Sequence, residues 1–433
     1  MSTADVTLES PRDIVVPMTR TRVIGGILIG LGVFIVGVFG IGVVGSAHSS
    51  LTFNPENLTG TVPWHLGMLT LNTRLSDIIM GLVVCAFGVE VVTRLPRRGV
   101  MFRFSLGAVL FFLTLIIWVA RTPGPSIVGF IDVTPILVRT AAIATVLILG
   151  SLSGVMCERA GVVNIAIEGQ FIAGAFIGSI LASTTSSFWL AAVGGIAAGG
   201  LIGLALAFFA LRYQSDQIIV CVVLVTILTG LSSYLNLQVL TPYPQYNLGN
   251  IAPQVAIPFF AKIPIIGPVF FNENGFFYAM VILVIVVSVA LFRTRWGLRV
   301  RAVGEHPKAA ASVGISVVRV RYRSVVMGGA IAGLGGVAFM AVQGQFQPGS
   351  TSGWGYIALA AMIFGRWRPS GAVAACVLFG LCLYLSSNLQ TYGIPISTEI
   401  LGMFPYIITI VVVAGLIGRV RAPAADGIPY ARD

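Results

Sequence analysis

Residues 217–239, QIIVCVVLVTILTGLSSYLNLQV, run without a single charged side chain. About twenty such residues in a helix cross a hydrocarbon core of about 30 Å. The chain contains about a dozen runs of this kind: 23–45, 75–93, 101–119, 134–156, 161–183, 188–211, 217–239, 275–292, 324–344, 354–365, 371–388 and 400–418. Lipid gives a free backbone N–H or C=O no partner, so spans must satisfy themselves internally, and long continuous apolar runs do so as helices. Charged residues make up 9% of the chain, against about 25% in a soluble domain. The expected fold class is an all-α polytopic membrane protein with about 10–12 transmembrane helices, some broken or half-length. The first run is too long for a cleavable signal and reads as an uncleaved anchor.

The net charge of +11 is a matter of placement. When the spans alternate from a cytoplasmic N-terminus, all but four of the 26 Lys and Arg fall on the cytoplasmic side. The exceptions are Arg74, Arg121, Arg139 and Lys262. This bias orients membrane proteins and puts both tails, 1–22 and 421–433, in the cytoplasm. The positive charge is thus a topology signal, and no nucleic-acid partner is expected. The five cysteines lack metal-type spacing, and His48, His65 and His306 stand without a partnered nucleophile. Neither a metal site nor a membrane enzyme is expected.

Two spans are irregular. The stretch 354–365, WGYIALAAMIFG, would reach only about 18 Å as a helix, and the approach to it, QFQPGSTSGWG, is rich in Gly and Pro. The other begins GVVNIAIEGQ at 161–170, with Asn164 and Glu168 inside an otherwise apolar run. A buried carboxylate there costs a few kcal/mol. Interrupted segments entering from opposite sides are the pattern of a transport site built from broken helices. The proline-rich loop 240–274, with Tyr243, Tyr246, Phe259 and Phe260 as anchors, is external in this topology and suits reception of a soluble partner.

Residues 293–323, RTRWGLRVRAVGEHPKAAASVGISVVRVRYR, form the longest hydrophilic stretch after the N-terminal tail. Pro307 suits the first turn of a helix, KAAASV continues it, and Gly314 suits the position after its end. Ser316 can cap a second helix running into the span near residue 324. Anionic lipid accounts for the arginines. A capped, alanine-rich helix among them suits a lever for a soluble partner.

KAAASVG at 308–314 is similar to the loop of ABC-importer permeases in which two alanines precede a glycine by a fixed gap. Ala309, Ala310 and Gly314 match it; Lys308 replaces the usual Glu, and the Ile-x-Leu-Pro portion is absent. Three longer stretches resemble the permease family of sugar, branched-chain amino-acid and nucleoside importers: LSGVMCERAGVVNIAIEGQFIAGAF at 152–176, GLRVRAVGEHPKAAASVGI at 297–315 and GWGYIALAAMIFGRWRPSGAVAACVLFG at 353–380. Their wording looks most like the nucleoside branch. The resemblance implies a permease core at 131–420 with its coupling loop at 293–323. An N-terminal extension at 23–130, with about three spans, lies outside it.

The resemblance further implies the transmembrane subunit of an importer in a bacterial cytoplasmic (inner) membrane, paired with a second permease, whether a different chain or itself. Cytoplasmic ATP-binding subunits would dock on the segment carrying Gly304, Glu305, His306, Pro307, Ala309, Ala310 and Gly314. An extracytoplasmic lipoprotein would deliver the substrate. The chain has no GxxxxGK[ST] phosphate loop, so ATP and its magnesium are expected in the partner, with no cofactor and no enzyme activity here. Asn164 and Glu168, four apart, are expected on one helix face with Phe171, where an amide, a carboxylate and a ring suit a ribose and base. The alternative is a polar clasp between helices. Trp354 and Tyr356 are candidate substrate contacts or interfacial anchors. Sugars and branched-chain amino acids stay open as cargo. A different class, the ion-coupled secondary transporter, would need midplane ionisable groups, of which Glu168 and Arg139 are the clearest.

Overall fold

The computed structural model describes residues 18–42, 48–53, 69–94, 100–120, 131–249, 251–388, 403 and 422–430. The span expected at 400–418 lies, but for Met403, outside the described residues. Among the described residues nine helices are long and apolar enough to cross a membrane. The chain is a polytopic, mostly helical membrane protein. It divides into two compact units, the first built from residues up to 51 and from 69–131, the second mainly from 132 onward.

The first unit contains α1 (Met18–Phe34), continued by a π-helical turn to Ile41, then α2 (Thr73–Arg94) and α3 (Val100–Val119). Gly25 and Gly32 of α1 face the carbonyls of Gly88 and Gly81 of α2, and Val92 and Cys85 fill the notches these glycines leave, so the two backbones approach closely. Helices in lipid gain little from burying apolar surface against one another, and close backbone contact through small residues replaces that drive. Arg103 grips Glu90 with two hydrogen bonds of 2.9 and 2.7 Å. A short hairpin, β1 (His48–Thr52) with β2 (Leu69–Asn72), departs from the all-α expectation.

The second unit contains α4 (Val133–Glu158), α5 (Ile167–Thr185), α6 (Phe188–Ala207), α7 (Gln217–Leu235), α8 (Gly275–Arg293), α9 (Arg295–Glu305), α10 (Pro307–Ser312), α11 (Val317–Gln343), α12 (Trp354–Phe364) and α13 (Pro369–Asn388). Helix starts follow capping chemistry. Asp132 accepts from the amide of Thr134 at 3.0 Å, Asp216 from Ile218 and Ile219 at 2.8 and 3.0 Å, and Asn274 from Phe277 at 3.0 Å. The most buried span is α4, and α7 is the most exposed, with 89% and 11% of their apolar windows covered. The central seam joins α5, α6 and α11. A β-carbon at Gly174 would overlap the Gly333 carbonyl, and one at Gly199 the Gly329 carbonyl.

The loop before α8 forms a second hairpin, β3 (Gln254–Ala256) with β4 (Asn272–Asn274). Within it Glu273 is 3% exposed, and its Oε1 has no hydrogen-bond partner among the described residues. Burial pushes its carboxyl up to about 8, against the smaller opposing pull of an Asn274 backbone bond and Arg139. A raised pKa contributes stability at acid pH that is lost as pH rises through the raised value. Glu273→Gln, which mimics the protonated acid, should match wild-type thermal stability near pH 5 and exceed it near pH 9. Melting curves of the purified protein across that range check this; a parallel pH dependence in the two proteins would refute it.

Candidate functional site

The irregular backbone opens where α4 stops. Gly161, in left-handed conformation at φ 82°, lets the Val162 amide return to the Cys157 carbonyl at 3.2 Å and ends the helix. The chain then runs non-helical to Ala166, and the side chain of Gln217, first residue of α7, accepts from the Val163 amide at 2.8 Å. Such backbone is tolerated within a membrane protein because protein surrounds it.

Because α5 begins only at Ile167, Asn164 and Glu168 do not share a helix face as the sequence spacing predicts. Asn164 turns into the core, its Nδ2 donating to Ser153 Oγ at 3.1 Å and Gln170 Oε1 at 3.2 Å. Phe171 is wholly buried, its ring held in a slot that β-carbons at Gly150 and Gly335 would fill. Glu168 points elsewhere. Its Oε2 accepts from the Gly355 amide at 2.7 Å, in the first turn of the half-helix α12. A β-carbon at Gly355 would lie 2.5 Å from the Glu168 nitrogen, so glycine is what lets the two helix starts abut. Glu168 therefore stands at the N-termini of two helices at once, where both macrodipoles favour a negative charge.

Around this junction lies a cavity of about 190 Å³. Glu168 and Ile172 of α5, Thr229 and Ser232 of α7, the turn from Phe346 to Gly353, and Tyr356 line it. Of the predicted residues, Glu168 and Tyr356 reach the cavity wall, whereas Asn164 and Phe171 do not line it. Trp354 packs edge-on against Phe339, ring centroids 4.8 Å apart. Thr229, Ser232, Phe346 and Thr351 were not singled out from the sequence. Thr229 and Ser232, three apart in the charge-free run 217–239, carried a readable signal as a polar face. Asn247 was also missed: its Nδ2 donates to the Phe346 carbonyl and its Oδ1 accepts from the Phe346 amide, both at 2.9 Å, fixing the turn beside the cavity.

The other end of α12 is clamped as well. After Gly365, Arg366 and Trp367 both sit in the left-handed region, at φ 56° and 52°, which non-glycine residues rarely occupy. Arg159 holds them, Nε donating to the Trp367 carbonyl at 3.0 Å and Nη2 to that of Arg366 at 3.2 Å. Trp367 Nε1 donates to Glu158 Oε2 at 2.6 Å. From sequence, the adjacent Glu158 and Arg159 read as a solvated end-of-helix pair, with a gate as the alternative; Glu158 is instead 4% exposed.

Glu158 in turn lies beside the carboxyl of Asp426, whose pKa burial raises above the ordinary range despite the opposing pull of Glu158 and the nearby Arg321 guanidinium. The expected coupling segment lies at this same end. It holds α10 as predicted, but α9 forms in front of it where the sequence reads as loop. Gly314, at φ 83°, follows the end of α10. Ala310 is buried against Val303 and Val317, whereas Glu305, His306 and Ala309 are exposed. Gly304 packs so closely on Arg159 that a β-carbon would overlap the Arg159 carbonyl.

Residues 136–413 match the family described as branched-chain amino acid transport system / permease component. The chain is 37% identical to the nucleoside ABC transporter permease protein NupC of Lactococcus lactis, over 66% of this chain and 93% of the relative. It is 36% identical to the guanosine ABC transporter permease protein NupQ of Bacillus subtilis, over 67% and 94%. It is 32% identical to a putative glucose ABC transporter permease protein, TsgC13, of Haloferax volcanii, over 65% and 92%. No solved structure matches the chain.

Proposed function

The chain belongs to the branched-chain amino acid transport system permease family, and on that premise we propose that it carries nucleosides as the membrane subunit of an ATP-driven importer. The observation that carries the substrate class is identity of 36–37% across more than nine-tenths of two permeases named for nucleosides and guanosine.

The chemistry of the cavity supports an uncharged cargo. In broken-helix transporters, half-helix N-termini commonly face an anionic group of the substrate. Here the protein's own Glu168 occupies that place, so an amino-acid carboxylate would find the helix-start amide already taken, while ribose hydroxyls and base N–H groups would meet acceptors. Glu168, Thr229, Ser232 and Tyr356 are the proposed contacts. A volume of about 190 Å³ falls below the roughly 300–1,000 Å³ of ordinary ligand sites. Passage of a nucleoside therefore requires the turn at 346–353 and α12 to move. The driving motion enters at α9 and α10, which contact the ATP-binding subunits; ATP and magnesium stay in those subunits. Both termini face the cytoplasm of a bacterial cell, a second permease completes the path, and a lipoprotein delivers the substrate from outside.

The test is reconstitution with the companion subunits in proteoliposomes. ATP-dependent uptake of labelled guanosine is expected, stopped by vanadate, unaffected by a protonophore, and competed by nucleosides but not by glucose or leucine. Competition by glucose or leucine alone would reject the nucleoside assignment, and protonophore sensitivity without ATP dependence would reject the importer class.

A further inference from the structure

The segment Ala422–Tyr430 lies beyond the residues that match the family, which end at 413. It is nonetheless built into the protein. Arg321 of α11 is 0% exposed, and its guanidinium is spent on this segment: Nη1 donates to the Ile428 carbonyl at 2.9 Å and Nη2 to that of Ala425 at 3.3 Å. The Ala425 amide donates to the Gly304 carbonyl at 2.8 Å, and the Ala424 amide to Glu305 Oε2 at 3.2 Å. Tyr430 packs on the apolar cluster of Val303, Ala310 and Val317. On its other side the carboxyl of Asp426 lies beside that of Glu158, which holds Trp367 at the end of α12.

A surface tail has no need of a buried arginine. Burying that cation costs several kcal/mol unless its donors are met, and here backbone carbonyls of the tail meet two of them, at Nη1 and Nη2, while Nε finds no partner among the described residues. The segment thus bonds α9, through Gly304 and Glu305, and reaches the Glu158–Trp367 clamp of α12 through Asp426.

We propose that Ala422–Tyr430 is a transmission strap, with Asp426 and Arg321 as positioning residues, that carries movement of the coupling helices α9 and α10 to the half-helix bordering the cavity. The inference rests on reading α9 and α10 as the ATPase contact. Rigid elements with two arrangements transmit such motion, and coupling evidence is what distinguishes transmission from proximity. Two carboxyl groups bond each other only when one carries a proton. An amide at position 426 can donate to Glu158 in its place, and a leucine cannot.

Three variants test the strap in the full complex: a chain ending at Arg421, Asp426→Leu and Asp426→Asn. For each, assembly, ATP hydrolysed per nucleoside imported, and the change in hydrogen exchange across 354–368 on vanadate trapping are measured. The truncation and Asp426→Leu should assemble, hydrolyse ATP, and spend roughly fivefold or more ATP per nucleoside, the lower end of usual coupling. Their vanadate-dependent exchange change should vanish, and Asp426→Asn should restore both readouts. Wild-type stoichiometry and exchange in the truncation would overturn the proposal. So would loss of assembly in all three variants, which would leave the segment a folding role only. If the wild-type complex hydrolyses ATP without importing nucleoside, the substrate reading falls, and the exchange comparison still decides the strap.

Discussion

Glu168→Ala is expected to abolish ATP-driven uptake, while Glu168→Gln inserts, assembles and retains part of it. The Gly355 amide now donates at 2.7 Å to a carboxylate that is 3% exposed. Alanine removes the acceptor and leaves that donor buried without a partner, a loss of about 1–3 kcal/mol. Removing a negative charge from the helix starts adds roughly 0.3–2 kcal/mol. Against a total stability of about 5–15 kcal/mol the core survives, but the contact that seats α12 does not. Glutamine offers the same oxygen without the charge, so the hydrogen bond persists in weaker form. Uptake and hydrogen exchange at 353–357 read the two variants separately. Normal uptake by Glu168→Ala would show that neither the clasp nor the cavity wall at this position matters.

The spans were readable because each is a local property: twenty apolar residues bounded by a cap or a basic cluster. The side chains of Asp132, Asp216 and Asn274 cap helices at the start of the spans expected from 134, 217 and 275. What escaped depends on partners remote in sequence. Glu158 and Trp367 lie 209 positions apart, and nothing local distinguishes a buried carboxylate from a solvated one at a helix end. Arg321 reads as one more cytoplasmic arginine until the tail folds over it 107 positions later. The helix α9 was hidden because its arginines dominate the reading of RWGLRVRAVGE, although Val300 and Val303 pack inward on one side. The pairing of Asn164 with Glu168 failed for a simple reason: the spacing argument assumes a helix, and Gly161 had already ended one.

Ala310→Glu should uncouple ATP hydrolysis from uptake by unseating α10. A charge at the partner contact is not the cause, and Val313→Glu separates the two effects. Ala310 is 4% exposed in the cluster formed with Val303 and Val317, whereas Val313, just past the helix end, is 75% exposed. The six residues of α10 form far less helix than the roughly 12–15 needed to persist alone, so tertiary packing through Ala310 is what keeps them in place. A carboxylate in that cluster has no partner and must drag the helix toward water, a penalty of several kcal/mol that exceeds what one alanine contact returns. The expected outcome is an assembled permease in which α10 exchanges freely and uptake falls by more than about tenfold, equivalent to 1.4 kcal/mol of lost coupling. Val313→Glu leaves the seat intact and should instead lower the amount of ATP-binding subunit that copurifies, with α10 still protected. If Ala310→Glu leaves α10 protected and uptake normal, the apolar cluster does not hold the lever, and force must enter the membrane helices by another contact.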